Sequence, residues 1–331
     1  MKNILILDIG TRNKLVTYFK KELEGIGKVV VADCNKLAPA LYDADKYYIV
    51  PSCVEKNYIP KIKEICIEEE ISLIIPLLEE DLLVIAKNKK EFEEMGVKCL
   101  ISDYDTVEMC FDKYSMFEYL HNNGLKTQLT YRDIRSFIND KENKKIKFPV
   151  FIKPNRGCGS NGINIVKDLE TLEFVFKKGN DFLIQELMIG REIGVDVYVD
   201  LISKKVISIF AKEKIRMVGG ETDKSISFKD EKLFSLIKEF VEKVGLVGTL
   251  DIDVFEVKGN YYISEVNPRF GGGYLHAYAC GVNFPKYIVK NMMDKTNDSC
   301  IGEYEDDICM MKYKDIKIID LKVEDNQKCV L

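Results

Sequence analysis

Only two histidines, His121 and His276, occur in the 331 residues, which excludes a His-rich metal centre. The 10 cysteines are scattered, with no C-x-x-C pair and no zinc-ligand spacing, so reduced thiols are expected. No apolar stretch approaches membrane-spanning length. The run ILIL, Ile4 to Leu7, is too short for the apolar core of a signal peptide. A cytoplasmic protein with no membrane partner is therefore expected. Positive charge is also in short supply: 54 acidic residues face 49 Lys+Arg, a net charge of −5. The longest basic stretch is NKKIK, Asn143 to Lys147, which reads as a solvated loop, so no nucleic-acid partner is expected. There is no internal repeat and no low-complexity tract. What remains, 46% hydrophobic and 31% charged residues, is the balance of a soluble globular chain long enough for two or three domains.

The first hundred residues alternate short apolar runs with amphipathic segments. NILILD, KVVVADC, SLIIPL and KCLIS are strand-like, and TRNKLVTYFKKELEGIG, NYIPKIKEICIEEE and LLVIAKNKKEFEEMG carry helical periodicity. That alternation predicts a parallel sheet wrapped on both faces. Ligands in such sheets gather at the carboxyl ends of strands, which makes DIGTR and PLLEED candidate pocket edges, with plain βα turns as the competing reading. DTVEMCFDKYSMFEYLHNNG then reads as a helical pair ending at Gly124. From Thr127 to Lys147 a strand, a helix and an exposed loop are expected. Beyond Phe148 the pattern changes to paired strands, VFIKP with GINIVKD, then FLIQEL, REIGVDVYVD and KVISIFAKE. A helix, DEKLFSLIKEFVEKVG, precedes a hairpin, GTLDIDVFEVKGNYYISEVNPR, expected to turn at Gly259–Asn260. One more strand-like run, ICMMKYKDIKIID, lies near the end.

Gly157, Gly159 and Gly162 have the G-x-G-x-x-G spacing of a dinucleotide loop. A dinucleotide loop needs a following helix to hold the pyrophosphate, but INIVK is β-rich. No Gly-Lys-Ser/Thr closes the loop as in a phosphate loop of the other common kind. It reads instead as a glycine hairpin whose backbone N–H groups can fold over an anion, with Ser160 and Asn161 as extra donors and Lys153 on the entering strand as a point charge. A plain hairpin tip with a surface lysine is the competing reading. A hundred residues later, Glu265 and Asn267 stand two apart on a strand and so share a face, while Asp253 can face them across the turn. Two carboxylates and an amide oxygen suit Mg2+ that carries nucleotide phosphates. Arg269 continues that face and can steady a transferring phosphoryl group.

Taken in order, CFDKYSMFEYL, FPVFIKPNRGCGSNGI, FLIQELMIGREIGVD, LDIDVF and ISEVNPRFGGG resemble the ATP-grasp superfamily. The resemblance is closest to the carboxylate–amine ligases that are similar to the carbamoyl phosphate synthase large subunit. It implies an N-terminal parallel αβ domain over 1–105. A small ATP-grasp lobe with the glycine hairpin follows over 106–185, and a large lobe with antiparallel strands and the metal and substrate sites over 186–331. It implies that Lys113 and Lys153 hold ATP phosphates and that Gly157, Gly159, Ser160, Asn161 and Gly162 cover them. Glu186 and the Leu187 backbone would meet adenine, and Glu192 the ribose. Asp253, Glu265 and Asn267 would hold Mg2+, with Mn2+ as a substitute ion, although relatives often have Glu in place of Asp253. Arg269 and Lys153 would be catalytic. Arg216, Arg269 and Gly272 would face the substrates, a small carboxylate and an amine, and a homodimer is common in the family. The implied reaction forms an acyl phosphate and ADP. Alternatives are a non-catalytic ATP-binding sensor or partner subunit, and an enzyme resembling biotin carboxylase.

Overall fold

The computed structural model describes residues 2–157, 164–177, 179 and 181–320. The first unit comprises β1 (Asn3–Leu7), α1 (Asn13–Glu22), β2 (Val29–Asp33), β3 (Lys46–Ile49), α2 (Tyr58–Glu68), β4 (Ile71–Pro76), α3 (Glu79–Glu94) and β5 (Lys98–Cys99). The strands are parallel in the order β3-β2-β1-β4-β5. Both faces are covered, which is why these strands read as continuous apolar runs. Along β1, Ile4 and Ile6 enter one core with Phe19 of α1, while Leu5 and Leu7 enter the other with Ile62 of α2 and Ile85 of α3. The short KYYI strand, β3, escapes the sequence reading because only one of its four residues is buried, so it lacks an apolar run.

Two helices, α4 (Tyr104–Phe111) and α5 (Lys113–Asn122), lead into a four-stranded antiparallel sheet. It is built from β6 (Thr130–Tyr131), α6 (Ile134–Glu142), β7 (Val150–Pro154), β8 (Asn164–Val166), α7 (Leu169–Phe176) and β9 (Phe182–Glu186). The two arms of the expected glycine hairpin pair as antiparallel strands, with Val150 opposite Val166 and Ile152 opposite Asn164. Helix α7 was not read from the sequence, although Asp168 caps it by accepting from the Thr171 N–H.

The remaining chain forms β10 (Arg191–Val199), β11 (Val206–Val218), β12 (Glu221–Phe228), α8 (Glu231–Val244), β13 (Gly248–Val257), β14 (Asn260–Asn267), α9 (Tyr274–Ala279), α10 (Phe284–Met292) and β15 (Cys309–Met311). The six strands run in the order β14-β13-β10-β11-β12-β15. The β13–β14 turn lies one residue earlier than expected. Val257 pairs with Asn260, so Lys258 and Gly259 form the two-residue turn, both at positive φ, as its mirror-type geometry requires. The strand expected over ICMMKYKDIKIID is confined to Cys309–Met311, because only these residues find a ladder partner, on β12.

The first unit and the large sheet share one core. Phe19, fully buried, meets Phe270 edge-on at 6.0 Å, Tyr18 stacks on Tyr278 at 3.5 Å, and the Asn283 amide donates to Glu22 at 2.8 Å. Truncating Phe19 to Ala removes a buried aromatic from this seam, and we expect a loss of about 3–5 kcal/mol in denaturant unfolding. A loss under about 1 kcal/mol would show that the seam does not depend on this ring.

Candidate active site between the two antiparallel sheets

The entrance to the glycine hairpin is fixed by one carboxylate. Asp112 caps α5 by accepting from the Ser115 N–H at 2.8 Å. It also accepts from Arg132 at 2.9 and 3.2 Å and from the Asn155 amide at 2.9 Å. Asn155 returns a carbonyl oxygen to the Tyr114 N–H at 3.0 Å. Arg156, next along the chain, pairs with Glu108 and approaches Asp112 at 3.6 Å. The end of β7 is thereby stapled to the start of α5, which brings Lys113 and Lys153 to one opening. The Lys113 ammonium donates to the Gly157 carbonyl at 2.7 Å, and Lys153 lies 3.7 Å from Glu265. Burial, and then nearby Lys113, push the Lys153 ammonium below its usual value against the pull of Glu265. Gly159, Ser160, Asn161 and Gly162 lie outside the described residues.

The opposite wall is the inner face of the large sheet. Asp253 stands directly across from Glu265 and Asp251 across from Asn267. Ser264 is the extra residue of a bulge on β14, its hydroxyl donating to Gln128 at 2.9 Å; it keeps this register at the site end. The Asn267 amide nitrogen donates to the Asp251 carbonyl at 3.3 Å, which turns its amide oxygen the other way. Lys214 joins Asp253 at 2.6 Å and Glu192 at 3.3 Å with 4% of its side chain exposed. Although burial disfavours its charge, Asp253 and Glu192 hold Lys214 above the usual lysine range. Burial, with Asp251 and Glu265 close by, pushes the Asp253 carboxyl up to about 6 despite Lys214. Glu265 goes the other way: burial is outweighed by Lys153, Lys113 and Arg269, which hold it below its ordinary value. The donor set of Asp253, Glu265 and Asn267 is all oxygen, and its carboxylates crowd one another, which fits a hard divalent cation.

Both candidate pocket edges of the first unit reach this wall. Glu79, of PLLEED, lines the same cavity as Lys113, Glu265 and Asn267, and Arg12, of DIGTR, reaches Glu221 at 3.9 Å. Among the expected residues, Lys113, Lys153, Gly157, Asp253, Glu265, Asn267, Arg269 and Glu192 lie around this cleft. Glu186 and Leu187 sit at its back, where Glu186 donates its N–H to the Leu129 carbonyl at 2.8 Å and its carboxylate accepts from the Leu129 N–H at 3.3 Å. Gly272 lies against the Glu221 carboxylate: a Cβ there would fall 2.7 Å from the Glu221 carboxyl carbon. Arg216 stands apart from the carboxylate cluster, 62% exposed and 3.6 Å from Asp223. A bulge around Ile215 breaks the two-residue alternation that would have aligned Arg216 with Lys212 and Lys214.

The sequence reading missed the charges beneath the site. Lys212 and Asp196 form an ion pair, each 1% exposed, and Asp251 holds Arg269 at 3.0 Å. The two-residue periodicity of AKEK and LDID was the available signal, since it places Lys212 with Lys214 and Asp251 with Asp253 on one face. His276 is structural: its rings of contact are Ser225 at 2.8 Å and the Ile308 carbonyl at 3.0 Å, and burial pushes it down to about 4.

A parallel sheet is thus joined to two antiparallel sheets, with Lys113 and Lys153 on one side of the cleft and Asp253, Glu265 and Asn267 on the other. Residues 110–273 match the ATP-grasp domain family, and residues 4–100 match the PylC-like N-terminal domain. The chain belongs to the ATP-grasp superfamily. It is 28% identical over 229 residues to the carbamoyl phosphate synthase large chain of Clostridium botulinum (strain Kyoto / Type A2), covering 59% of this chain and 21% of that one. It is 28% identical over 248 residues to the corresponding chain of Thermoplasma volcanium, covering 68% and 23%. The chain thus spans about a fifth of the length of the curated relatives it matches. Among solved structures, the biotin carboxylase domain dimer of the Hydrogenobacter thermophilus 2-oxoglutarate carboxylase, in complex with MgADP, ADP and bicarbonate, superimposes with a TM-score of 0.73 at 19% identity, covering 93% of this chain and 73% of that one. The L-amino acid ligase of Bacillus licheniformis gives 0.67 at 20%, covering 90% and 75%. These likenesses show the shared fold.

At Gly271 an added Cβ would fall 2.6 Å from the Asp251 carboxyl carbon, forcing that carboxylate off Arg269. Gly271→Ala is expected to cost about 1–3 kcal/mol in the wild-type background and much less in Asp251→Ala, where the obstruction is gone. Equal costs in both backgrounds, measured by denaturant unfolding, would mean that the Asp251 contact is not what excludes a side chain here.

Proposed function

We propose that the chain is an ATP-dependent, ADP-forming carboxylate–amine ligase. The observation that carries this reading is the convergence of Lys113 and Lys153 with Glu265, Asn267 and Asp253 across one cleft. The ATP-grasp family membership supports ATP as the nucleotide. The three sheets support the division into 1–105, 106–185 and 186–331. Mg2+ is the ion expected at Asp253, Glu265 and Asn267, with Mn2+ as a substitute; when bound it neutralises phosphate charge. A homodimer and a cytoplasmic location are further expectations drawn from the family.

In this reading a substrate carboxylate oxygen attacks the γ-phosphorus while the bond from phosphorus to the bridging oxygen breaks and ADP leaves. An amine nitrogen then attacks the acyl carbon of the resulting acyl phosphate, the carbon–oxygen bond to the phosphoryl group breaks, and phosphate departs. Phosphoryl transfer asks of the protein mainly position and charge. Lys153 and Lys113 hold phosphate oxygens, and Glu192 and the Glu186–Leu187 segment hold the nucleoside. Arg269, fixed by Asp251, faces the charge that builds on the transferred group. No nucleophilic serine or cysteine is needed.

A pairwise screen of small carboxylates and amines with Mg-ATP should yield ADP and phosphate for one combination. Lys153→Ala and Glu265→Ala should each lower that rate by about 100-fold or more. Survival of the rate in both variants would refute the site. The Asp253 carboxyl adds a pH signature. Between its ordinary 3.8 and about 6 the folded chain keeps a proton that the unfolded chain has released, so stability falls as pH rises through that window. Ligation of Mg2+ needs the ionised form, so Mg-ADP should raise the melting temperature more at about pH 7.5 than at about pH 5. Equal shifts at the two pH values would exclude Asp253 as a ligand.

A further inference from the structure

The loop leaving β1 delivers Arg12 to the Gly271–Gly273 run, and no step above uses it. Only 20% of its side chain is exposed. Its one ion-pair partner among the described residues is Glu221, 3.9 Å away, at the outer limit of such a pair. Glu221 is already held by Lys312 at 2.9 Å, while Arg269 is satisfied by Asp251 at 3.0 Å. The two carboxylates lie against neighbouring glycines, Asp251 at Gly271 and Glu221 at Gly272, so the two guanidinium groups flank one short stretch of backbone. Arg269 also feels Glu79 and Glu265, so Arg12, with one ion-pair partner at 3.9 Å that is already engaged by Lys312, is the least firmly partnered cation of the group. Burial, followed by nearby Arg269, pushes the Arg12 guanidinium below its ordinary value, as expected of a cation short of a partner.

Its position is also built. Arg12 immediately precedes α1, and the seam of Phe19 on Phe270, Tyr18 on Tyr278 and Asn283 on Glu22 fixes that helix against the large sheet. A buried arginine offers a planar fork of donors matched to a carboxylate.

We propose that Arg12 and Arg269 form a two-guanidinium seat for a carboxylate group of the substrate, and that Arg12, donated by the N-terminal unit, sets the preference for substrates bearing that charge. What the seated carboxylate then does rests on the ligase reading; the seat itself does not.

The test uses the full chain, Arg12→Gln and Arg12→Lys, titrated calorimetrically with acetate, glycine and malonate, and with acetamide and glycinamide as uncharged counterparts, each with and without Mg-ADP. An acid of this panel is expected to bind the wild type more tightly than its amide. Arg12→Gln should weaken that acid by about tenfold or more, with Arg12→Lys in between and Mg-ADP binding unchanged. The seat is overturned if no acid binds, if acid and amide bind alike, or if Arg12→Gln stays within about twofold of wild type. Lower melting temperatures with unaltered acid binding would likewise assign Arg12 to packing. Absence of Mg-ADP binding to the wild type would sink the ligase reading instead, and the titration without nucleotide would still judge Arg12.

Discussion

Charge cancellation on the inner face of the six-stranded sheet is the constraint on which the rest of the molecule depends. Strands β10, β11, β13 and β14 place Asp196, Lys212, Lys214, Asp251, Asp253 and Glu265 on that face, largely out of water. Unpaired, any one of them would carry a desolvation penalty of several kcal/mol. Antiparallel pairing distributes them so that Lys212 meets Asp196, Lys214 meets Asp253, and Arg269 comes round the end of β14 to meet Asp251. Of these six side chains, Asp196 keeps one buried oxygen without a hydrogen-bond partner. The glycines at 271–273 follow from the same requirement, since side chains at those positions would collide with Asp251, Glu221 and Lys212.

Charge then separates into two regions. Toward the glycine hairpin, Lys113 and Lys153 oppose the crowded carboxylates Glu265 and Asp253, and a cation-bearing triphosphate would satisfy both sets at once. Toward the N-terminal unit, Arg12 and Arg269 stand beside Glu221 and Asp251, and the proposed carboxylate seat would lie between the two guanidinium groups. The two regions share Arg269, so in the proposed reaction a single residue would serve both the transferred group and the acceptor.

Much of this was legible because strand alternation is short-ranged. Glu265 and Asn267 had to share a face, and a hairpin had to bring Asp253 across from them; the pairing of Asp253 with Glu265 bears that out. The parallel unit was equally plain from its apolar runs, apart from β3, whose tyrosines and lysine disguise a strand. Less legible were features set by register and by partners distant in sequence. The bulge near Ile215 turns Arg216 toward Asp223, and no local pattern announces it. Arg12 looked like one residue of a βα turn, since its relation to Glu221 spans more than two hundred positions. Asp112 and Asn155 gave no sign in sequence of being joined.

The chain passes between the small sheet and the large one at two points, Leu129 and Glu186, which are bonded to each other twice. There β6 and β9 lie side by side, with Thr130 opposite Gln185. At its other edge, the small sheet is fastened to α4 and α5 by contacts of Arg132, Asn155 and Arg156 with Asp112 and Glu108, and by one main-chain bond from the Lys113 N–H to the Asn155 carbonyl at 3.3 Å. Each edge of the small sheet is thus held by one main-chain bond reinforced by carboxylates, so a single charge-neutralising substitution at Asp112 or Glu186 would loosen one edge and leave the other in place.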